Sequence, residues 1–338
     1  MWLRSLMLCI ATARSIMSNV PFKPAWWLPG PHAQTLWAAL CRRKSKPSLK
    51  TLRERIELLD GDFIDLEWAG GSVGPIVLIL HGLEGSAESP YAQGLLKTFT
   101  QQHWRSVVMH FRGCSGETNR LSRTYHSGET SDIAAIVKIL QAREPLVPIM
   151  AVGFSLGANV LLKWLGETGA ENPLMAAVAV STPFELEKTV RRLQQGLSRV
   201  YDWHLLRCLN KKMVKKFKSK SSPIDIALLG RARSLYDFDD QVTAPLHGFS
   251  SAHDYYTRSS CRQFIKGIQI PTLLLQAKDD PFMAEGIIPQ AHELPSSVTL
   301  EVTEQGGHVG FVMGQYPWRP EYWLEQRIPA FLRSVIGL

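Results

Sequence analysis

The stretch Ile149-Met-Ala-Val-Gly-Phe-Ser155-Leu-Gly-Ala158 places a serine between an apolar run and a segment with helical spacing. The apolar run predicts a buried parallel strand, and residues 158–165 predict a helix. Gly153 and Gly157 lack the Cβ atoms that would clash in a sharp turn between the two elements. The pattern therefore predicts a nucleophile elbow, with Ser155 exposed beside a helix N-terminus.

The composition is that of a globular protein. Of 338 residues, 45% are hydrophobic, enough for one large α/β domain or two smaller domains. Five scattered cysteines without a Cys-x-x-Cys pair argue against a disulfide framework or a zinc site and favour a reducing compartment. The net charge of +8 is largely local, since residues 207–220 contain seven basic residues and no acid. This run matches no known nucleic-acid-binding fold, so nucleic-acid binding is not expected.

The N-terminus allows two interpretations. Arg4 precedes a short apolar run and an Ala11-x-Ala13 pair, which resembles a signal peptide. The run is at the short end for such a signal, and no window approaches the roughly 20 apolar residues of a membrane span. The alternative is that translation starts at Met17. We expect a cytoplasmic protein, with peripheral contact at the inner face of the membrane as a further option.

The order of the predicted elements indicates an α/β fold. Residues 54–58 and 63–68 alternate apolar and polar side chains around Asp60-Gly61, which predicts an antiparallel hairpin. Apolar runs separated by helical segments follow, and they predict a mostly parallel sheet with helices on both faces. The predicted strands are Ile76–Leu80, Ser106–Phe111, Ile149–Val152, Met175–Val180, Thr272–Leu275 and Thr299–Val302.

Four parts are expected along the chain. Residues 1–50 are predicted to form an N-terminal arm and a helix from Pro31 to Cys41. Residues 51–183 form the first part of the α/β core, and residues 267–338 complete it. Between them, residues 184–266 contain no convincing strand, which predicts a helical lid inserted over the carboxyl edge of the sheet.

A catalytic serine needs a histidine base and an acid that orients it, because its hydroxyl is a poor nucleophile near neutral pH. His308 lies in a glycine-rich loop after the last predicted strand, and Asp280 follows the fifth. Since the carboxyl ends of parallel strands lie at one edge, Ser155, Asp280 and His308 are expected to meet there. Asp279 is the alternative acid. We favour Asp280 because it precedes Pro281, and we expect Asp279 to order the loop.

Two backbone N–H groups normally stabilise the oxyanion of a tetrahedral intermediate. Leu156, directly after the serine, is predicted to supply one of them. Leu83 is predicted to supply the other, because Gly82 permits a close approach of the backbone. His81 is expected to hold this loop by hydrogen bonds.

Several longer motifs carry a resemblance that extends from about residue 22 to the C-terminus. They are His81-Gly-Leu-Glu-Gly-Ser86, His110-Phe-Arg-Gly-Cys-Ser-Gly116, Tyr125-His-Ser-Gly-Glu-Thr130, Phe238-Asp-Asp-Gln-Val-Thr-Ala244 and Gly306-Gly-His-Val-Gly-Phe311. Together with the chain order Ser155, Asp280, His308, they resemble the serine hydrolases of α/β-hydrolase fold, and more closely the YheT-type esterases.

The resemblance implies a carboxylic ester hydrolase that forms an acyl-enzyme on Ser155 and uses no metal or organic cofactor. A lipase- or phospholipase-like, thioesterase or amidase activity is a variant of the same chemistry. A noncatalytic binding protein that retains the fold is the other class of function. The expected partner is a small-molecule ester, with a lipid-like ester as an option, and a monomer is favoured.

The basic run also contains an apolar stripe. Leu209, Met213 and Phe217 recur at every fourth residue, with lysines around them. Such a helix can lie on anionic lipid, or it can be a lid helix whose stripe packs on the core. We favour the packed helix.

Overall fold

A computed structural model describes residues 21–42, 49–218, 221–225 and 229–337. The signal-like segment and Met17 lie outside the described residues. The centre of the fold is an eight-stranded sheet with the strand order β1-β2-β4-β3-β5-β6-β7-β8. Its strands are Leu52–Glu57 (β1), Phe63–Ala69 (β2), Ile76–Leu80 (β3), Arg105–Met109 (β4), Ile149–Phe154 (β5), Ala176–Val180 (β6), Thr272–Ala277 (β7) and Val298–Thr303 (β8).

The predicted sheet topology is confirmed. Strands β1 and β2 form the antiparallel hairpin, β2 pairs antiparallel with β4, and all pairings from β4 through β3 to β8 are parallel. Strands β3 to β6 are buried throughout, which explains their unbroken apolar sequences. The prediction for β4 was wrong at its end, because the Phe111 N–H bonds to the His81 ring instead of continuing the ladder.

Helices cover both faces of the sheet. Pro90–Gln101 (α2) and Leu324–Ile336 (α10) pack on one face. Ser131–Arg143 (α3) and Leu156–Thr168 (α4) pack on the other face. The predicted N-terminal helix is confirmed at Pro31–Leu40 (α1). No helix within the described ranges is long and apolar enough to cross a membrane.

The described part of residues 184–266 is helical and contains no strand. Its helices are Leu186–Leu193 (α5), Arg199–Phe217 (α6), Leu235–Phe238 (α7), Ala244–His247 (α8) and Ala252–Ser259 (α9), with a π-helical turn between α7 and α8. The stripe of Leu209, Met213 and Phe217 is buried in a separate apolar cluster of this segment. The interpretation in which this stripe faces lipid is therefore wrong.

The sequence did not predict a second, two-stranded sheet, which consists of Val312–Tyr316 (β9) and Arg319–Tyr322 (β10). Proline within β10 and a glycine at φ 104° within β9 obscure the alternation that marks a strand. Beside β9, the arm residue Ala25 donates its N–H to the Val312 carbonyl. The side-chain oxygen of Gln34, on α1, accepts from the Val312 N–H at 2.7 Å.

His81, directly after β3, ties two strand ends together. Its Nδ1–H donates to the Gly82 carbonyl at 2.7 Å, and its Nε2 accepts from the Phe111 N–H at 3.1 Å. Acceptance at Nε2 requires a neutral ring, and complete burial lowers the pKa of His81 to about 3. The prediction that His81 holds this loop by hydrogen bonds is confirmed.

We predict that His81 contributes to loss of stability in acid. The pKa of about 3 in the fold lies below the ordinary value of 6.5. The neutral His81 ring therefore makes its full contribution to the free energy of unfolding above pH 6.5, and this contribution is lost as the pH falls toward 3. Over this window it amounts to about 1.4 kcal/mol per pH unit. Urea unfolding of a His81→Gln variant should show a shallower decline in stability by roughly this slope. Parallel stability curves for the two proteins would contradict the prediction.

Candidate active site

Ser155 occupies a strained turn between β5 and α4. Its φ of 51° and ψ of −116° are unusual for a residue other than glycine and cost about 1–3 kcal/mol. A Cβ on Gly157 would lie 2.5 Å from the Leu80 carbonyl oxygen, and a Cβ on Gly153 would lie 2.6 Å from the Cα of Ala158. The two glycines are therefore needed because the turn is pressed against the neighbouring backbone.

The structure brings together the three side chains that the sequence predicted to meet. Ser155 Oγ lies 2.9 Å from His308 Nε2, and His308 Nδ1 lies 2.8 Å from Asp280 Oδ2. The other carboxylate oxygen of Asp280 accepts from the Phe282 N–H at 2.9 Å. The Phe282 ring stacks on the His308 ring, with centroids 3.9 Å apart. The imidazole is thus held in its plane by a carboxylate at one edge and an aromatic ring on one face.

Asp279, the alternative acid, has a different contact. Its Oδ1 accepts from the Gly307 N–H at 2.9 Å, which orders the loop that carries His308. Burial raises the pKa of Asp279. The hydrogen bonds thus separate the two carboxylates in the way the sequence predicted, with Asp280 on the imidazole and Asp279 on the backbone.

The loop around His308 is supported by residues that sequence reasoning missed. The His308 N–H donates to Thr35 Oγ1 at 2.9 Å, so helix α1 reaches the site. The Val309 N–H donates to Ser181 Oγ at 3.0 Å, and both Val309 and Ser181 have positive φ. The only signal in the sequence was a polar Gln34-Thr35 pair within an apolar helix, and this pair is buried.

Leu83 and Leu156 present unengaged amides at this site. A Cβ on Gly82 would lie 3.4 Å from Ser155 Cβ, so the loop after β3 runs close beside the serine. In this loop the Gly82 N–H donates to Tyr91 Oη and the Glu84 N–H donates to Tyr125 Oη. Among the hydrogen bonds of the described residues, neither the Leu83 N–H nor the Leu156 N–H has an acceptor. No protein acceptor within the described residues therefore competes with a ligand for either group.

An apolar pocket adjoins Ser155 and His308. Most of its wall comes from residues 184–266, including Leu186, Val190, Leu209, Met213, Phe238 and Val242. The pocket can accept an apolar group whose polar end reaches the serine. Within the described residues, no cluster of three or more His, Cys, Asp or Glu side chains could hold a metal ion.

Comparison with known proteins identifies the family. Residues 75–315 match a family model described as alpha/beta hydrolase fold. The chain is 42% identical over 330 residues to "Putative esterase YheT" of Escherichia coli K12, and the match covers 96% of each chain. It is 30% identical over 326 residues to "Phospholipase ABHD3" of mouse, covering 93% of this chain and 79% of that protein.

A solved structure has the same fold. The esterase Pf2001 of Pyrococcus furiosus aligns with a TM-score of 0.59 at 19% identity, covering 86% of this chain and 92% of the esterase chain. The eight-stranded sheet, the match over residues 75–315 and the 42% identity agree with one another. The chain therefore belongs to the α/β-hydrolase fold family and, within it, to the YheT-type esterase family.

Proposed function

We propose that this protein is a serine hydrolase that cleaves carboxylic esters through an acyl-enzyme on Ser155. The observation that carries the proposal is the continuous hydrogen-bonded chain from Ser155 Oγ through His308 to Asp280. In a serine, a histidine and a buried carboxylate connected in this order, the histidine can act as the base that activates the hydroxyl group as a nucleophile.

The proposed reaction has two halves. In the first, Ser155 Oγ attacks the acyl carbonyl, and His308 Nε2 takes the serine proton and passes it to the leaving alcohol. In the second, His308 takes a proton from a water molecule as that water attacks the acyl carbonyl, and it then returns the proton to Ser155 Oγ as the acid leaves. Asp280 orients the imidazole and stabilises its charged form at each step.

The Leu83 and Leu156 amides form the proposed oxyanion hole. Both are unengaged within the described residues, and both flank Ser155 in the chain or in space. Leu156 opens helix α4, where N–H groups have no partner within the helix, and the positive end of the helix dipole favours a developing oxyanion. Preorganised donors of this kind act mainly on the transition state.

The proposed substrate is a small ester with an apolar, lipid-like acyl group. The apolar wall contributed by residues 184–266 supports this choice, as does the phospholipase name of the mouse relative. In this proposal the segment acts as a lid that shields the acyl group from water. Thioesters and amides would enter the same chemistry. A noncatalytic protein would have no need for the strained Ser155 or for its aligned base.

We further propose peripheral contact with anionic lipid through the outer face of α6. Val200, Trp203 and Val214 are 60%, 57% and 51% exposed on that face, opposite the buried stripe. The exposed basic residues Arg207 and Lys211 lie among them. Apolar and basic side chains on one helix face are the combination that anionic membranes attract. A monomeric, cytoplasmic protein remains the expected form.

We predict that Ser155→Ala abolishes ester hydrolysis. Loss of the nucleophile should lower kcat for p-nitrophenyl butyrate by a factor on the order of 10⁶. Ser334→Ala, at an exposed serine of α10, is the matched control and should keep full activity. Retained turnover by a folded Ser155→Ala variant would exclude Ser155 as the nucleophile.

Substitutions at the two neighbouring aspartates should have very different effects on kcat. Asp280→Asn removes the charge that orients His308 and should lower kcat by about 10⁴-fold. Asp279→Asn retains an oxygen acceptor for the Gly307 N–H and should change kcat by less than about tenfold. Steady-state kinetics of the two variants test this, and equal losses would contradict the assignment.

Membrane contact should depend on charge. The protein should co-sediment with phosphatidylglycerol vesicles at low salt, and binding should weaken at high salt. Arg207→Glu should weaken it by about 10- to 30-fold, since roughly 1 kcal/mol accompanies each charge near the surface. Trp203→Ala should also weaken binding, whereas the matched control Trp318→Ala, at an exposed tryptophan outside α6, should leave binding unchanged. Equal binding to phosphatidylcholine vesicles would contradict an electrostatic contact.

A further inference from the structure

We propose that Lys212 and Glu84 are positioning residues that align the oxyanion hole, and that their ion pair couples the helical segment 184–266 to catalysis. The inference rests on the proposed function and extends it to residues that touch neither the serine nor its base. Lys212 lies on α6, whereas Glu84 directly follows Leu83 in the loop after β3.

The ion pair is nearly enclosed. Lys212 Nζ lies 2.5 Å from Glu84 Oε1, and the two side chains are 17% and 12% exposed. Lys212 Nζ also lies 3.0 Å from Cys114 Sγ. Burial raises the pKa of the Cys114 thiol, so Glu84 is the charged partner of the ammonium group. Burial lowers the pKa of Lys212, but its contacts with Cys114 and Glu84 together raise the pKa by more than burial lowers it. The pKa of Lys212 therefore lies above its ordinary value.

Glu84 holds an unfavourable backbone conformation. Its φ is 54°, in the left-handed region that a residue with a Cβ rarely adopts. Tyr125 fixes this residue at two points, since Tyr125 Oη accepts from the Glu84 N–H at 2.9 Å and donates to Glu84 Oε1 at 2.8 Å. The carboxylate therefore connects the backbone of the loop to both Tyr125 and Lys212.

This connection sets the position of the Leu83 amide. On one side of Leu83, the Gly82 N–H is held by Tyr91 Oη at 2.8 Å. On the other side, Glu84 is held by Tyr125 and Lys212. The Leu83 N–H, left unengaged between these two anchors, can align with an oxyanion only while both anchors hold.

Lys212 lies in a different part of the chain from the other two anchors, Tyr91 and Tyr125. Tyr91 and Tyr125 belong to the α/β core, whereas Lys212 belongs to the segment that forms most of the pocket wall. Without Lys212 the Glu84 carboxylate would be a poorly solvated charge with no cation, and it would turn toward water. That movement would relax the positive φ of Glu84 and displace the Leu83 amide. The oxyanion hole is therefore aligned only when α6 is seated on the core.

A direct role for Lys212 gives a different kinetic signature. Lys212 also lines the pocket, so it could contact a substrate group. A substrate contact would change KM, because it acts on the ground state. Positioning of the oxyanion hole changes kcat and the affinity for a tetrahedral adduct, while KM stays constant.

The test is Lys212→Met in the full-length protein, assayed with p-nitrophenyl butyrate and with an alkyl trifluoromethyl ketone. The ketone adds to a nucleophilic serine as a tetrahedral oxyanion. We expect kcat to fall about 10- to 100-fold, because a displaced donor loses part of the roughly 10²- to 10³-fold effect of a deleted one. The inhibition constant of the ketone should rise by the same factor, with KM unchanged within about twofold.

Two further variants and one control complete the test. Lys212→Arg keeps the cation and should recover most of the activity, and Glu84→Gln should show the same losses as Lys212→Met. If Lys212→Met does not fold, Glu84→Gln is compared with the wild-type protein in its place. Lys138→Met, at an exposed lysine of α3, is the matched control and should behave as wild type.

Unchanged kcat and ketone affinity in Lys212→Met would overturn the inference, and so would a rise in KM alone. A wild-type protein that neither hydrolyses the ester nor binds the ketone would overturn the proposed function, and the inference with it.

Discussion

The strained backbone of Ser155 is the constraint on which the rest of the site depends. At φ 51° the residue departs from β5 at an angle that neither a strand nor a helix permits. The turn persists because its N–H bonds to the Val180 carbonyl at 2.9 Å and its carbonyl accepts from the Asn159 N–H at 3.0 Å. Strain of this kind survives only where the surroundings overdetermine the conformation, and it concentrates at functional sites. The buried parallel strands and the two glycines supply those surroundings.

Several loops and two helices meet close to Ser155 at this edge of the sheet. The loops after β3, β7 and β8 converge on it because parallel strands end at the same edge. Helix α1 supports the His308 loop through Thr35, and α6 supports the loop after β3 through Lys212. Together with the turn that carries Ser155, six separate parts of the chain thus build the site, and two of them, α1 and α6, do not follow strands of the sheet.

Sequence patterns predicted the parts of this site that are local or that follow from topology. The elbow follows from two glycines and an apolar run, and the contact between Asp280 and His308 follows from strand order. The contacts of Thr35, Tyr125 and Lys212 join residues that are distant in the chain, so no local pattern gives their partners. The basic run did not indicate which of its side chains face solvent, and two of its lysines, Lys212 and Lys216, turn inward to polar groups of the core.

The proposed function depends on the activation of Ser155 as a nucleophile by His308. The most direct measurement is mass spectrometry of the intact and digested protein after reaction with an alkyl fluorophosphonate, which modifies activated serines covalently. We expect one adduct per chain, carried by the peptide that contains Ser155. An adduct on a different serine, or no adduct on a folded protein, would contradict it.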